Sequence, residues 1–384
     1  MHKHILAWFL ISFLSMHGPT QAHTQDTCLE TPSTITQNRQ GQLFIGINAL
    51  SFLKNNEYFN PLIQGHTLAG YQIHPYLRYY PANNIQVDLG VFTRKDWADT
   101  HFLSRATPTF TIKYQEQAFS FLLGNIAGGT AHQLLNPLYD LESMLLRGVA
   151  TGLQLQYLQP NTFVDIWLDW LSLLCKQTGR PEELCAGIAL NQTLLQNQWV
   201  CWGLPMQGLV YHLGGQGIAT KAYSLFVGAI GSSLKVKISE HAWLRNMLFE
   251  NYYLANRYSK KGLRPFRIGH AFYSNLTLET AWLMLTGSYW QGYGFSSEGM
   301  GNPLYQSMAL VDKQVKYQEK FRQLFLLHVH YSYQLAASMS LVLHLDPYYD
   351  AQNNLLEHAA GIYISYKPFF SIGTIKPLDC LPSN

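Results

Sequence analysis

Charge is scarce in this sequence. Lys, Arg, Asp and Glu make up 13% of its 384 residues, against roughly 25% in ordinary soluble domains, while the hydrophobic share of 47% is usual. A water-soluble surface of the common kind is therefore short of its material. Long apolar runs are missing as well. Beyond the N-terminus no segment approaches the roughly 20 apolar residues of a membrane helix, and a mean hydropathy of -0.06 excludes a bundle of such helices. A net charge of +3 supplies no field for nucleic acid or for a strongly acidic partner. Neither Cys-x-x-Cys nor a Cys-with-His zinc spacing occurs, so no metal or cofactor is expected. What the chain has in place of charge is aromatic surface: 24 Tyr, 20 Phe and 9 Trp.

The N-terminus, "MHKHILAWFLISFLSMHGPTQAHTQDT", has a short basic start, an apolar run from Ile5 to Met16 and a small-residue site ending at Ala22. That order predicts a secretory signal over residues 1–22, cleaved after Ala22. An exported chain without membrane helices is either soluble or a β-barrel. Five cysteines, Cys28, Cys175, Cys185, Cys201 and Cys380, then lie in a compartment that permits disulfides. Cys175 and Cys185 flank the turn-rich "KQTGRPEEL", which fits either a closed loop or two free thiols. Cys28 and Cys380 lie near the two mature ends, which are neighbours in a closed barrel, and a bridge between them is a second expectation.

Period-two alternation recurs along nearly the whole chain. In "TGLQLQYLQPNTFVDIWLDW", Leu153, Leu155 and Tyr157 fall on one face and Gln154 and Gln156 on the other. After a Pro-Asn turn, Val164, Ile166 and Leu168 oppose Asp165, Trp167 and Asp169, so the segment reads as a hairpin with one apolar and one polar face. Ile85, Val87, Leu89 and Val91 oppose Gln86, Asp88 and Gly90 in the same way. Strand starts near Gln42, Leu68, Ile85, Thr107, Ala118, Gly152, Thr162, Glu183, Trp199, Ala222, Trp243, Ile268, Leu278, Phe321, Ala336 and Leu356 give about sixteen strands, with fourteen to eighteen as the range. "PANN", "QEQ", "QPN", "LLQN", "SNLT" and "SYQ" are brief connections, and long stretches such as 125–150 and 291–320 lie between them. Short turns on one rim and long loops on the other predict an all-β, closed, antiparallel, up-and-down transmembrane barrel over 42–370. A periplasmic segment, 23–41, precedes it and a periplasmic tail, 371–384, follows. Leu153, Leu155, Val164, Ile166 and Leu168 then face lipid, and the polar set faces a wet interior. Tyr79, Tyr114, Tyr157, Trp170, Trp199, Tyr258 and Trp290 are expected in the interfacial girdles.

In this arrangement, and in "GLQLQYLQPNTFVDIWLDW" following "HQLLNPLYDLESMLLRG", the chain resembles bacterial outer-membrane porins, more closely the porin-like barrels of Bacteroidetes. The resemblance implies a Gram-negative outer membrane, contact with its lipid, passive or weakly selective passage of small polar solutes, and admits a trimer. It also implies a terminal aromatic in the last strand. Here "YISYKPFF" is followed by further residues to Asn384, so Phe369 or Phe370 would serve internally. In porins of this size the third outer loop folds inward. That places Asp140, Glu142 and Arg147 at a constriction, and Arg78, Lys113, Asp165 and Asp169 on the pore wall.

Two other function classes stand beside this one. A closed barrel acting as a binding or surface-assembly partner is disfavoured by barrel width. A barrel-embedded lipid hydrolase or deacylase would pair Ser with His near the membrane boundary. No Ser motif stands beside a His at such spacing, and Ser296 and Ser297 in "GFSSEGMGNP" read as loop, so the sequence is read as non-enzymatic. His328 and His330 share a strand face that His344 can approach, but without carboxylate or thiol partners in a fixed pattern they read as lumen lining.

Overall fold

The computed structural model describes residues 35, 38–140, 142–215, 222–309 and 317–375. The expected signal segment, Cys28 and Cys380 lie outside these residues. Alternating residues form β1 (Gln42–Glu57), β2 (Thr67–Ala82), β3 (Ile85–Asp96), β4 (Arg105–Glu116), β5 (Phe119–Asn125), β6 (Thr151–Gln159), β7 (Thr162–Ser172) and β8 (Glu182–Gln196). The second half comprises β9 (Val200–Gly214), β10 (Tyr223–Lys237), β11 (Leu244–Tyr258), β12 (Ile268–Thr280), β13 (Met284–Tyr293), β14 (Phe321–Ala336), β15 (Met339–Asp350), β16 (Leu355–Tyr366) and β17 (Phe369–Thr374). Each strand pairs antiparallel with the next, and β1 closes the sheet against both β16 and β17. β16 and β17 are one wall strand interrupted at Lys367-Pro368, since proline cannot donate to the ladder. The 17-stranded sheet therefore occupies sixteen wall positions. The wall continues to Thr374 rather than ending at Phe370. Phe369 stacks on Phe44 across the closure with ring centroids 4.6 Å apart.

The connections sort by parity. On the rim where the barrel's first strand begins and its last ends they are 83–84, 117–118, 160–161, 197–199, 238–243, 281–283 and 337–338. On the other rim the described residues of the connections are L1 (58–66), L2 (97–104), L3 (126–140 and 142–150), L4 (173–181), L5 (215 and 222), L6 (259–267), L7 (294–309 and 317–320) and the short L8 (351–354). Long loops mark the extracellular side of an outer-membrane barrel. Two expected turns are misplaced. "SNLT" lies inside β12, and the chain reverses at 281–283, where Thr280 Oγ1 accepts from Leu283 N at 2.9 Å. "SYQ" lies inside β14. Asn275 and Ser332 are turn-forming types spent on the inner face of the wall instead, while Ser274 lies on the outer face between the exposed Phe272 and Leu276.

The hairpin of β6 and β7 shows the two faces of the wall. Leu153, Leu155 and Ile166 are 40%, 43% and 42% exposed, whereas Gln154, Gln156 and Asp165 are at most 2%. Leu155 and Ile166 are direct cross-strand neighbours, midway along β6, and their apolar surface is what lipid covers. Ile166→Lys should cost about 2–4 kcal/mol of barrel stability, the depth-dependent cost of a lipid-facing cation, read as a lower urea midpoint in lipid vesicles. The same change at Ala189, which points inward, is governed by lumen packing and sets the comparison.

The interior is not uniformly wet. Part of the inner wall is apolar: Leu209, Leu225, Val227, Leu254, Ala271, Trp290 and Leu324 form one cluster with Leu138 of L3 and Phe295, Leu304 and Tyr305 of L7. Trp290 contacts Phe295 and Tyr305 edge-on at 5.1 and 5.0 Å. Tyr258 and Trp290 are both fully buried. They point into the lumen rather than into a girdle, because the register that faces Leu225 and Leu254 inward carries them along. Tyr114, Trp170 and Trp199 do lie on the exposed face. Cys175, Cys185 and Cys201 are free thiols. Cys185 faces the lumen from β8 while Cys175 sits in L4, hydrogen-bonded through its backbone to Arg180.

Candidate functional site

The site is built where L1 and L3 meet the outer ends of β1 and β2. L1 is pinned from below: the Glu357 carboxylate on β16, fully buried, accepts from the backbone N–H groups of Phe59 and Asn60 and from the Asn60 amide. Asn60 Oδ1 in turn accepts from Leu62 N and Ile63 N at 2.9 and 3.0 Å, the side-chain-to-backbone turn typical of Asn. At Gly65 the chain passes so close to β1 that a Cβ would lie 2.4 Å from the Asn56 carbonyl oxygen, so glycine is required there. This fixes His66, whose carbonyl accepts from Asn56 N at 3.0 Å.

L3 enters the lumen and carries the one α-helix among the described residues, α1 (Glu142–Arg147). Its Leu145 packs with Phe52, Val342 and Tyr363 of the wall. Three further ties hold it. His132 Nδ1 lies 2.7 Å from Asp165 Oδ2, both sealed from solvent, and its ring stacks on Trp167 at 3.8 Å. Gln154 donates to the same Asp165 carboxylate at 2.9 Å. L7 closes over L3: Asp140 N donates to Met300 O at 2.7 Å, Asn302 Nδ2 to Asp140 Oδ1 at 3.4 Å, and Arg147 to Gly299 O.

These ties present the Glu142 carboxylate to the rim. Oε1 accepts from Lys54 Nζ at 2.5 Å and Asn56 Nδ2 at 2.8 Å, and Oε2 lies 3.3 Å from His66 Nε2. The other imidazole nitrogen, Nδ1, lies 3.3 Å from the Gln64 carbonyl oxygen. Glu142 is 9% exposed and His66 44%, so a buried anion holds a half-exposed imidazole at the long-loop edge. Burial works against the Glu142 charge, but the bonds from His66, Lys54 and Asn56 hold its carboxyl below the usual range. Asp140 is pushed up, first by burial and then by the neighbouring Glu142. His66 is raised, chiefly by its bond to Glu142. The two neighbouring carboxyls are thus shifted in opposite directions, and Glu142 is the one that meets the imidazole.

A cavity of about 190 Å³ continues inward from Lys54 and Glu142, between L3 and the wall of β14, β15 and β1. His330 and His344 lie 2.9 Å apart in it, and His328 Nδ1 is 3.0 Å from Asp346 Oδ1. The register explains the approach. His330, His344, Gly361 and Lys54 are successive neighbours across β14, β15, β16 and β1. The missing side chain at Gly361 makes room for the Tyr363 ring, which a Cβ there would meet at 2.7 Å and which lies 5.3 Å from the His344 ring.

Of the residues singled out from the sequence, Asp140 and Glu142 meet at this site. Arg147 is committed to L7, and Asp165 to anchoring L3. Asp169 accepts from Thr151 N at 2.8 Å, and Arg78 is bonded to Asp88 on the opposite side of L3. Sequence reasoning missed Lys54, Asn56 and His66. The signal was the polar end of an otherwise alternating strand, "LKNNE", followed after a short loop by "GHT".

Family comparison overturns the non-enzymatic reading. The model of the lipid A 3'-O-deacylase-type family matches residues 35–375. The search for Ser beside His was too narrow, because an imidazole on a carboxylate can activate water without a serine. No curated protein sequence matches the chain. Among solved structures it is similar to the outer membrane protein OprD from Pseudomonas aeruginosa, with a TM-score of 0.53, 9% identity and coverage of 87% of this chain and 96% of that one. A loop L8 deletion mutant of OmpT, an outer membrane protein of Vibrio cholerae, gives 0.50 and 10% with coverage of 85% and 99%. These likenesses show an outer-membrane barrel fold. Across nearly all of its described length, the chain belongs to the lipid A 3'-O-deacylase-type family.

Proposed function

We propose that this barrel is an outer-membrane ester hydrolase that removes an acyl chain from an acylated glycolipid of the lipid A class, working at the outer-leaflet edge of β1, β2 and L1. The observation that carries the reading is the half-exposed His66 held on the buried Glu142 beside Lys54, in a chain of this family. Of the His–carboxylate pairs on the page, His132–Asp165 is sealed and His328–Asp346 faces the lumen. His101 also meets a carboxylate, Asp99, on the long-loop rim, but in L2 with its imidazole 82% exposed, whereas the carboxylate that holds His66 is buried and bonded to Lys54.

In the reaction, neutral His66, its Nε2–H held by Glu142, turns Nδ1 from the Gln64 carbonyl oxygen to water and takes a proton there as the water oxygen attacks the ester carbonyl. Glu142 holds the ring in orientation and stabilises the imidazolium that forms. The imidazolium then returns its proton to the departing sugar oxygen, so one water is consumed and a carboxylic acid and an alcohol are released. Lys54 places a fixed positive charge beside the site, where it favours the oxyanion of the tetrahedral intermediate. Solute diffusion, the other reading of such a barrel, has less support, because L3 and L7 pack against the inner wall and against each other.

Purified protein reconstituted with lipid A tests the proposal. Mass spectrometry should show loss of one acyl chain, with the matching free fatty acid. An unchanged lipid A spectrum with heat-modifiable, folded barrel in the same sample would remove the hydrolase reading.

A further inference from the structure

On the far side of L3 from His66, a second cavity of about 320 Å³ lies against β2, β3, β4 and β5. Its charge is unbalanced: Arg78, Arg105, Lys113, Arg147 and Lys367 line it together with only two carboxylates, Asp88 and Asp169. Asp88 is already saturated. Its Oδ1 accepts from Arg78 Nε at 2.8 Å, and its Oδ2 from Arg78 at 2.7 Å and from Gln86 Nε2 at 2.9 Å. Asp169 is bonded to the Thr151 backbone on β6. Lys113 is 3% exposed, and its Nζ has no hydrogen-bond partner among the described residues. Removing an ammonium from water without a partner costs several kcal/mol, so a lysine kept in this state marks a place where an anion completes the coordination.

The rest of the lining narrows the class. Leu122 stands directly across the strand pair from Lys113, and Phe92, Ile126 and Met144 continue an apolar surface along the cavity beneath L3. A bare inorganic anion would leave that surface without a complementary group. From these facts we infer that the cavity binds an organic monocarboxylate with a short apolar tail, its carboxylate on Lys113 and its tail along Leu122, Ile126 and Phe92. Mixed apolar walls with one well-placed polar group are the usual make-up of a small-ligand site. The assignment uses neither His66 nor Glu142 and stands apart from the hydrolase reading.

Calorimetric titration of the protein in lipid nanodiscs with hexanoate, acetate, hexanamide and inorganic phosphate tests it. Hexanoate should bind at least tenfold more tightly than acetate, which lacks the tail, and than hexanamide, which lacks the charge. Lys113→Gln should weaken hexanoate at least tenfold, and Lys113→Arg should restore most of it, with heat-modifiability on electrophoresis confirming a closed barrel in each. Hexanoate binding that Lys113→Gln leaves unchanged would overturn the site. Equal binding of hexanamide would reduce it to an apolar crevice, and phosphate as tight as hexanoate, without dependence on chain length, to an inorganic anion site. Either result overturns the carboxylate assignment.

Discussion

His66→Gln should lower the rate of acyl release by about 10²–10⁴-fold, the contribution of a positioned general base, while the barrel stays closed. Glutamine keeps the size and one hydrogen bond to Glu142 but cannot carry a proton. Glu142→Gln separates orientation from simple loss of a group, because it changes the pH profile as well as the rate. The base is neutral His66, and the bond to Glu142 raises the pKa of that imidazole. In the wild type the rate should therefore rise with pH through a midpoint above the ordinary histidine value of about 6.5. Removing the Glu142 charge takes away the principal cause of the shift and leaves the Lys54 cation nearby, so the midpoint moves to lower pH while the maximal rate falls. A merely structural Glu142 would lower the rate at every pH without moving the midpoint. The pair's contribution to docking L3 has the opposite pH sense. It is complete below the ordinary histidine pKa and lost as pH climbs through the raised one, and with His66 44% exposed it is small.

The wall of this barrel was legible because a period of two is a local property. Ile85 to Val91 and Thr151 to Trp170 show it without reference to any other segment, and a strand flanked by lipid and lumen has no other pattern available. Strand starts at Gln42, Ile85, Thr162, Ile268 and Phe321 coincide with the structure. Turns were less legible where polar residues such as Asn275 served the inner wall. The lumen's content was not legible from alternation at all. Inward-facing Tyr258 and Trp290 look like girdle aromatics until L7 supplies Phe295 and Tyr305 to cover Trp290. The proposed catalytic constellation was the least visible. Asp140 and Glu142 stood out as charges in an inward-folding loop, and the structure does place that loop in the lumen. Their significance depends on Lys54 and His66, which sit on different segments and meet Glu142 only after the barrel closes and Glu357 pins L1. The pairing of Glu142 with Lys54 spans 88 positions, a distance over which no spacing rule operates.

Arg322→Met should destabilise the barrel by about 3–5 kcal/mol, the cost of breaking a buried ion pair by removing one partner. The guanidinium is fully buried and joins two parts of the rim: NH1 donates to Glu319 Oε2 at 2.6 Å, and NH2 lies 3.2 Å from Asp350 Oδ2. Glu319 is on the returning arm of L7, where Tyr317 OH and Asn353 Nδ2 also donate to it at 2.8 and 2.6 Å. Asp350 ends β15, where it accepts from Gln352 N and Asn353 N of L8 at 3.0 and 3.1 Å. Methionine fills much of the volume but strands two carboxylates in a dry setting. Because the loss comes from the stranded charges rather than from a missing attraction, pairing Arg322→Met with Asp350→Asn and Glu319→Gln should recover most of the stability. A mutant cycle on urea unfolding in lipid vesicles measures the recovery. Equal losses in the single and combined variants would assign Arg322 a packing role instead. The Arg322→Met barrel should also exchange the amide hydrogens of 317–320 faster than those of 302–308, since the former depend on this charge cluster and the latter on the aromatic contacts of Trp290 and Tyr305.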